Sequence, residues 1–188
     1  GIGSGMIIDD HLLLGHQGLG AEAGHMIMLV GDRVSTLENE AAGPDMAYQA
    51  RKRIEGGEKS VMVDLVKGDL SKIDAKILGD AAHNGDVLAK DIIARGGYII
   101  GLGIVSLLHL FNPQIVVVGG GVANLGDMLF NPMHEAIQKH CIDQAYWKDL
   151  IITKPELGED VSIVGAGALV PTQGGVGRVS DVIHTLNN

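Results

Sequence analysis

Between Arg95 and Asp127 the chain carries no full charge, and this stretch, Gly96 to Gly126, limits the possible folds more than any other. Its first part, residues 96 to 111, reads GGYIIGLGIVSLLHLF and resembles a membrane span in composition. Pro113 interrupts it. The β-branched run Gln114-Ile115-Val116-Val117-Val118 follows, and then Gly119-Gly120-Gly121. Proline cannot continue a helix, so the stretch divides into a core helix and a strand, each too short to cross a bilayer. A continuous β-branched run is the pattern of a strand buried on both faces. No membrane association is expected.

The rest of the chain alternates strand and helix signals. Met6-Ile7-Ile8 and Leu12-Leu13-Leu14 flank Asp9-Asp10, which predicts strand, tight turn, strand. A glycine-rich loop runs from Gly15 to Gly24, and Met26 to Val30 predicts another strand. Pro44 suits the first turn of a helix through Ile54. Short helices are expected over 56–74. Asp74 is placed to cap a helix over Ala75–Ala82, and Asp86 to cap the long helix from Val87 to Phe111. Gly96, Gly97, Gly101 and Gly103 within that helix permit close approach of another helix or a ligand. A helix is expected from Leu125 to Cys141, then a strand at Leu150–Thr153. Ser162–Leu169 reads as a tightly packed small-residue helix, and Val176–Leu186 as one more. With no linker and no repeat, this order predicts an α/β domain with helices on a mixed sheet.

Composition excludes several classes. The chain has 188 residues, 46% of them hydrophobic and 20% charged, which is enough for a sizeable core and unlike a disordered segment. A net charge of −9 and 3% aromatics argue against a surface that tracks nucleic-acid phosphates or stacks bases. Cys141 is the only cysteine, so there is no internal disulfide and no cysteine-based zinc finger, and a reducing, cytoplasmic setting is expected. The opening Gly-Ile-Gly-Ser-Gly has neither the basic stretch nor the apolar block of a signal peptide.

Three constellations carry chemistry. Gly1-Ile2-Gly3-Ser4-Gly5 leads into a strand, and bare backbone there lets N–H groups approach phosphate oxygens; an ordinary turn has the same composition. Gly119-Gly120-Gly121 lies where a buried strand ends, a usual nucleotide position in an open α/β sheet and equally a tight strand-to-helix turn. Gly20-Ala21-Glu22-Ala23-Gly24-His25, with Glu38 in Thr36-Leu37-Glu38, supplies carboxylates and an imidazole that accept hydrogen bonds from a polyhydroxylated ligand; a solvated loop reads alike.

Taken together, these segments resemble the ROK family of sugar kinases and related repressors. Gly1–Gly5 and Gly15–His25 resemble its glycine hairpin and G-E-x-G-H-like motif. Thr36-Leu37-Glu38 with Ala42-Gly43 resembles its C-L-E segment, and Asn84–Ala89 its G-D-x-x-A helix start. Leu110 to Val122 resembles its N-P-x-x-I-V-x-G-G-G-V block, the most specific of these matches. The resemblance runs from Gly1 to about Val170.

The resemblance implies one carboxyl-terminal lobe of the actin-like ATPase (ribonuclease H-like) fold over residues 1–188, a mixed sheet flanked by helices. The amino-terminal lobe, with its own phosphate hairpin and a catalytic aspartate in N-D-x-N, is expected outside this chain, so no catalytic residue is expected within it. By the same analogy Glu22, His25 and Glu38 contact sugar hydroxyls. Gly1, Gly3 and Ser4 sit at the nucleotide phosphates, and Gly119, Gly120 and Gly121 near the adenosine. The implied activity is phosphoryl transfer from ATP with Mg²⁺ to a hexose, in a homodimer with no nucleic acid bound through this lobe. The alternative is the sugar-sensing, dimerising lobe of a ROK repressor. Many members hold zinc with the G-H histidine and three cysteines. Here residues 29–36 contain none, so no metal is expected at His25.

Overall fold

A computed structural model of the chain describes residues 1–180 and 182. The chain forms two compact units, Gly1–Ile2 with His25–Lys154, and Gly3–Gly24 with Pro155–Asn188. The sequence shows no linker because the chain passes between the units at three ordinary junctions, Ile2-Gly3, Gly24-His25 and Lys154-Pro155.

The larger unit is organised by helix α5, Val87–Phe111. Asp86 caps it, its carboxylate accepting the Ala89 N–H at 2.8 Å, and Asn112 ends it in the left-handed conformation before Pro113. At 25 residues this helix is long and apolar enough to cross a membrane, which corrects the expectation that it is too short. Burial accounts for its apolarity: Leu88, Ile92, Ile93, Ile104 and Leu108 lie in the main core. Packed beside it are α2 (Gly43–Glu55), α4 (Ala75–His83) and α6 (Asp127–His140), with the short helix α3 (Met62–Leu65) against α4 as expected for residues 56–74. Asp74 caps α4 as expected, accepting the Ile77 N–H at 2.8 Å. The glycines of α5 serve helix contact. A Cβ on Gly101 would lie 2.5 Å from the Met133 carbonyl of α6, and one on Gly97 would run into the Leu129 carbonyl.

The strands depart from a mixed sheet. They form three separate pairs: β1 (Ile7–Ile8) with β2 (His11–Leu12), β3 (Ile27–Val30) with β4 (Arg33–Thr36), and β5 (Ile115–Val117) with β6 (Ile151–Thr153). The first two pairs are antiparallel and the third is parallel. Each strand spans only two to four residues, and among the described residues no pair extends into a common sheet, although His11 of β2 also bridges Arg178. Nor is β5 buried on both faces. Val116 and Val118 pack on the core, while Ile115 and Val117 are 46% and 53% exposed, because helices cover one face only.

In the smaller unit Asp9 and Asp10 both adopt positive φ between β1 and β2, the turn chemistry their sequence predicts. Helix α7, Val161–Ala168, is not tightly packed: it has no buried residue, and a Cβ on Gly165 or Gly167 would meet open space. The helix expected over Val176–Leu186 does not begin at Val176: residues 176–179 form a turn in which Arg178 bridges His11 of β2, and residues 181 and 183–186 lie outside the described residues.

Candidate functional site

The site begins with a five-residue helix, α1 (Leu37–Ala41), which follows β4 directly. Thr36 is extended and caps it, its hydroxyl accepting the Asn39 N–H at 3.2 Å. A helix this short has no stability of its own and depends on packing. Leu37 and Ala41 supply that packing by burying against Ile99 of α5, with Met26 and Ile2 beside them. Gly103 makes room, since a Cβ there would stand 2.8 Å from Leu37 Cδ2.

Half-buried Glu38 leaves this helix toward the amino-terminal glycines. Its Oε2 accepts the Ile2 N–H at 2.7 Å, and a Cβ on Gly1 would lie 2.7 Å from that same oxygen. One carboxylate oxygen is thus engaged by backbone, and Gly1 has to be bare for the contact to form.

Two positions on, Glu40 is buried, with 2% of its side chain exposed. Arg95 of α5 reaches its Oε2 at 2.5 Å and Arg33 of β4 its Oε1 at 2.6 Å. Its backbone carbonyl accepts from Gln49 at 3.1 Å and from Arg95 at 3.4 Å. Burial pushes the Glu40 carboxyl up, but the Ser35 hydroxyl and the two guanidiniums outweigh it and hold the group below its ordinary value. Ser35 Oγ is buried and makes no well-formed hydrogen bond of its own. Glu40 stands out little in the sequence. Its one signal was a charge set among Leu37, Ala41 and Ala42.

Glu22 belongs to the smaller unit, on the loop after β2. The loop is pinched where Gly20 N–H donates to the Leu14 carbonyl at 2.8 Å; a Cβ on Gly20 would lie 3.0 Å from Gly15 N. Ala21 has φ of +64°, a conformation unfavourable to a side chain. The Ser4 hydroxyl secures both flanks of Glu22, donating to the Ala21 carbonyl and accepting the Ala23 N–H at 3.0 Å. Ser4 therefore holds the Glu22 loop. Glu22 itself is exposed, as is His25 at the end of the turn Ala23–His25.

Gly1, His25, Glu38 and Gly119–Gly121 share the larger unit, while Gly3, Ser4 and Glu22 fall in the smaller. Gly120 has φ of +85°, and Gly121 opens the short turn Gly121–Leu125 that leads to α6. A Cβ on Gly120 or Gly121 would meet open space, so the backbone of this turn is accessible to a ligand. Val122 packs against Gly43, 3.1 Å from a Cβ placed there, which couples the glycine turn to the chain leaving α1. For a metal, no cluster of three His, Cys, Asp or Glu occurs among the described residues. Beyond His25 the chain forms the β3–β4 hairpin, turning through Gly31-Asp32 with Gly31 at φ +58°. The sequence reading missed β4, although a two-residue glycine turn was its signal.

The ROK family model matches residues 1–173, and the chain belongs to that family. It is 32% identical to the glucokinase of Thermotoga maritima over 176 residues, 90% of this chain and 55% of that protein. It is 28% identical to the DNA-binding transcriptional repressor Mlc of Escherichia coli over 171 residues, 88% of this chain and 40% of the repressor. Among solved structures it is similar to a ROK family glucokinase from Streptomyces griseus in complex with glucose and AMPPNP. That match has a TM-score of 0.78 and 28% identity, and covers 90% of this chain and 57% of that one. The chain spans about half the length of the glucokinases it matches.

Proposed function

We propose that this chain supplies the sugar-binding and nucleotide-binding residues of an ATP-dependent hexose kinase of glucokinase type. The observation that carries the reading is the Ile2 N–H bond to Glu38. It joins the glycine segment suited to phosphate to the carboxylate suited to sugar hydroxyls. Phosphoryl transfer needs these two substrates side by side, because positioning and electrostatics supply most of its catalysis.

In this reading Glu22, His25 and Glu38 accept hydrogen bonds from the hexose, and the Ser4 hydroxyl positions Glu22. Backbone at Gly1, Gly3 and Ser4 approaches the phosphates, and Gly119, Gly120 and Gly121 lie at the adenosine. ATP supplies the phosphoryl group with Mg²⁺ as counter-ion; phosphates and water commonly hold that ion, and no ligand cluster occurs among the described residues. The aspartate that takes the hydroxyl proton is assigned to a second lobe outside these residues. The protein works as a cytoplasmic homodimer.

A second reading, the sugar-sensing lobe of a repressor, draws support from the similarity to Mlc and to the xylose repressor of Caldicellulosiruptor bescii. Titration calorimetry of the intact protein tests both. Glu22→Gln and Glu38→Gln should each weaken glucose binding by about 1.5–3 kcal/mol through loss of charge-assisted hydrogen bonds. Unchanged affinity in both variants would overturn the sugar site. Failure of a non-hydrolysable ATP analogue to bind would favour the repressor.

A further inference from the structure

We propose that Glu40 is a positioning residue for sugar recognition: the Arg33–Glu40–Arg95 cluster fixes the orientation of α1 and thereby aims Glu38 at the ligand. The inference rests on the sugar-site reading of Glu38 and extends it to residues that do not touch the sugar.

Helix geometry links the two carboxylates. Residues two apart on an α-helix are separated by about 200°, so Glu38 and Glu40 leave α1 on opposite sides. Among the described residues the Glu38 side chain is held only at its tip, by the Ile2 N–H. Glu40 is held from three elements: Arg33 on β4, Gln49 on α2 and Arg95 on α5. Rotation of α1 about its axis swings both side chains together. The clamp on Glu40 therefore sets the direction of Glu38.

Packing alone leaves that rotation weakly determined. Apolar contacts are non-directional, and α1 buries only Leu37 and Ala41 besides Glu40. Arg95 is directional. Its Nη2 binds the Glu40 carboxylate and its Nη1 binds both the Glu40 carbonyl and Gln49 Oε1, the last at 3.1 Å. One guanidinium thus reads the backbone and the side chain of the same helical residue. A buried ion pair is seldom more stable than an apolar replacement of equal volume, so its use here fits orientation better than stability.

The test compares Glu40→Gln, Glu40→Leu, Arg95→Gln and Glu38→Gln in the intact protein. Glucose affinity, nucleotide affinity and thermal midpoint are measured for each. Glu40→Gln and Arg95→Gln are expected to weaken glucose binding about ten-fold, with nucleotide affinity within two-fold of the parent. The double variant Glu40→Gln/Arg95→Gln is expected to lose no more than the worse single one. If Glu40→Leu does not fold, the two Gln variants decide the question. Weak glucose binding by Glu38→Gln with unchanged binding by Glu40→Gln and Arg95→Gln would overturn the positioning role and leave the sugar site standing. Equal loss of glucose and nucleotide would also overturn it, reducing Glu40 to a fold contact. Unchanged binding by Glu38→Gln would overturn the sugar-site reading and the positioning role with it.

Discussion

The Ile2 backbone N–H donates to Glu38 Oε2 at 2.7 Å, joining residues 36 positions apart. Two sequence motifs, a glycine segment and an acid after Leu37, meet in this one bond. A Cβ on Gly1 would intrude on the same oxygen. Gly1→Val should therefore displace the Glu38 carboxylate and weaken glucose binding about ten-fold, or ~1.4 kcal/mol, with little change in thermal midpoint. Calorimetry beside a melting curve checks this; a fall in midpoint with retained affinity would show that Gly1 serves the fold instead.

Gly120→Val should abolish nucleotide binding and leave glucose binding intact. The cost is not a clash within the protein, since a Cβ there meets open space. It arises from φ of +85°, which a branched residue tolerates poorly, and from the side chain blocking approach to the turn. Binding of a fluorescent ATP analogue and of glucose, measured on one sample, separates this from misfolding, which would remove both.

Gly101→Val should destabilise the larger unit. Its side chain would enter the backbone of α6, where the Met133 carbonyl is 2.5 Å from the Cβ position and Ala136 Cβ 2.7 Å. Overpacking of this kind costs about 1–3 kcal/mol and more where backbone must move, so about 3 kcal/mol is expected. Denaturant unfolding gives the value, and a change under 0.5 kcal/mol, roughly that of a free surface site, would contradict the packing.

Some of this was legible in the sequence, because its signals are local. The long helix Val87–Phe111 announced itself through Asp86, Pro113 and unbroken apolarity. The caps at Asp74 and Asp86 bind the amides their spacing predicts. The glycines of α5 marked a close helix contact. Long-range relationships were not legible. Arg95 and Glu40 are 55 residues apart, and nothing local says that they meet. The exposure of Ile115 and Val117 was hidden too, since a β-branched run reports preference for a strand and not which faces are covered. Ser4 offered one hydroxyl and two plausible partners, phosphate or loop, and only the fold brings Ala21 and Ala23 to it.

Acid should weaken the α1 anchor first. Glu40 has its carboxyl lowered from an ordinary value of 4.5, so the folded chain holds the charged form more tightly than the unfolded chain. That contribution is whole above pH 4.5 and is lost as pH falls below it toward the folded value. In Glu40→Gln the slope of stability against pH should be shallower in that window. The substitution itself should cost about 2 kcal/mol, less than the ~3–5 of a fully buried pair, because Arg33 is 60% exposed and its charge returns to water. Urea unfolding at a series of pH values measures both, and parallel curves for the two proteins would remove Glu40 as the source.

The last expectation concerns turnover. The purified 188-residue chain should not phosphorylate glucose at an enzymatic rate. Its acids at the site have other tasks: Glu22 and Glu38 are assigned to sugar hydroxyls, and Glu40 is enclosed by Arg33 and Arg95. With the proton-accepting carboxylate assigned to a second lobe, as proposed, general-base catalysis worth about 10²–10⁴-fold should be lost. On the proposed two-lobe division, the deficit should exceed that, since orienting two substrates in a closed cleft supplies up to ~7–11 kcal/mol of the barrier. A coupled ADP-release assay compares this chain with the same chain joined to the amino-terminal lobe of the T. maritima glucokinase, a relative of which it matches 55%. Activity confined to the joined protein is the expected result. Comparable turnover by the isolated chain would place the base among these residues and end the division of labour proposed for the two lobes.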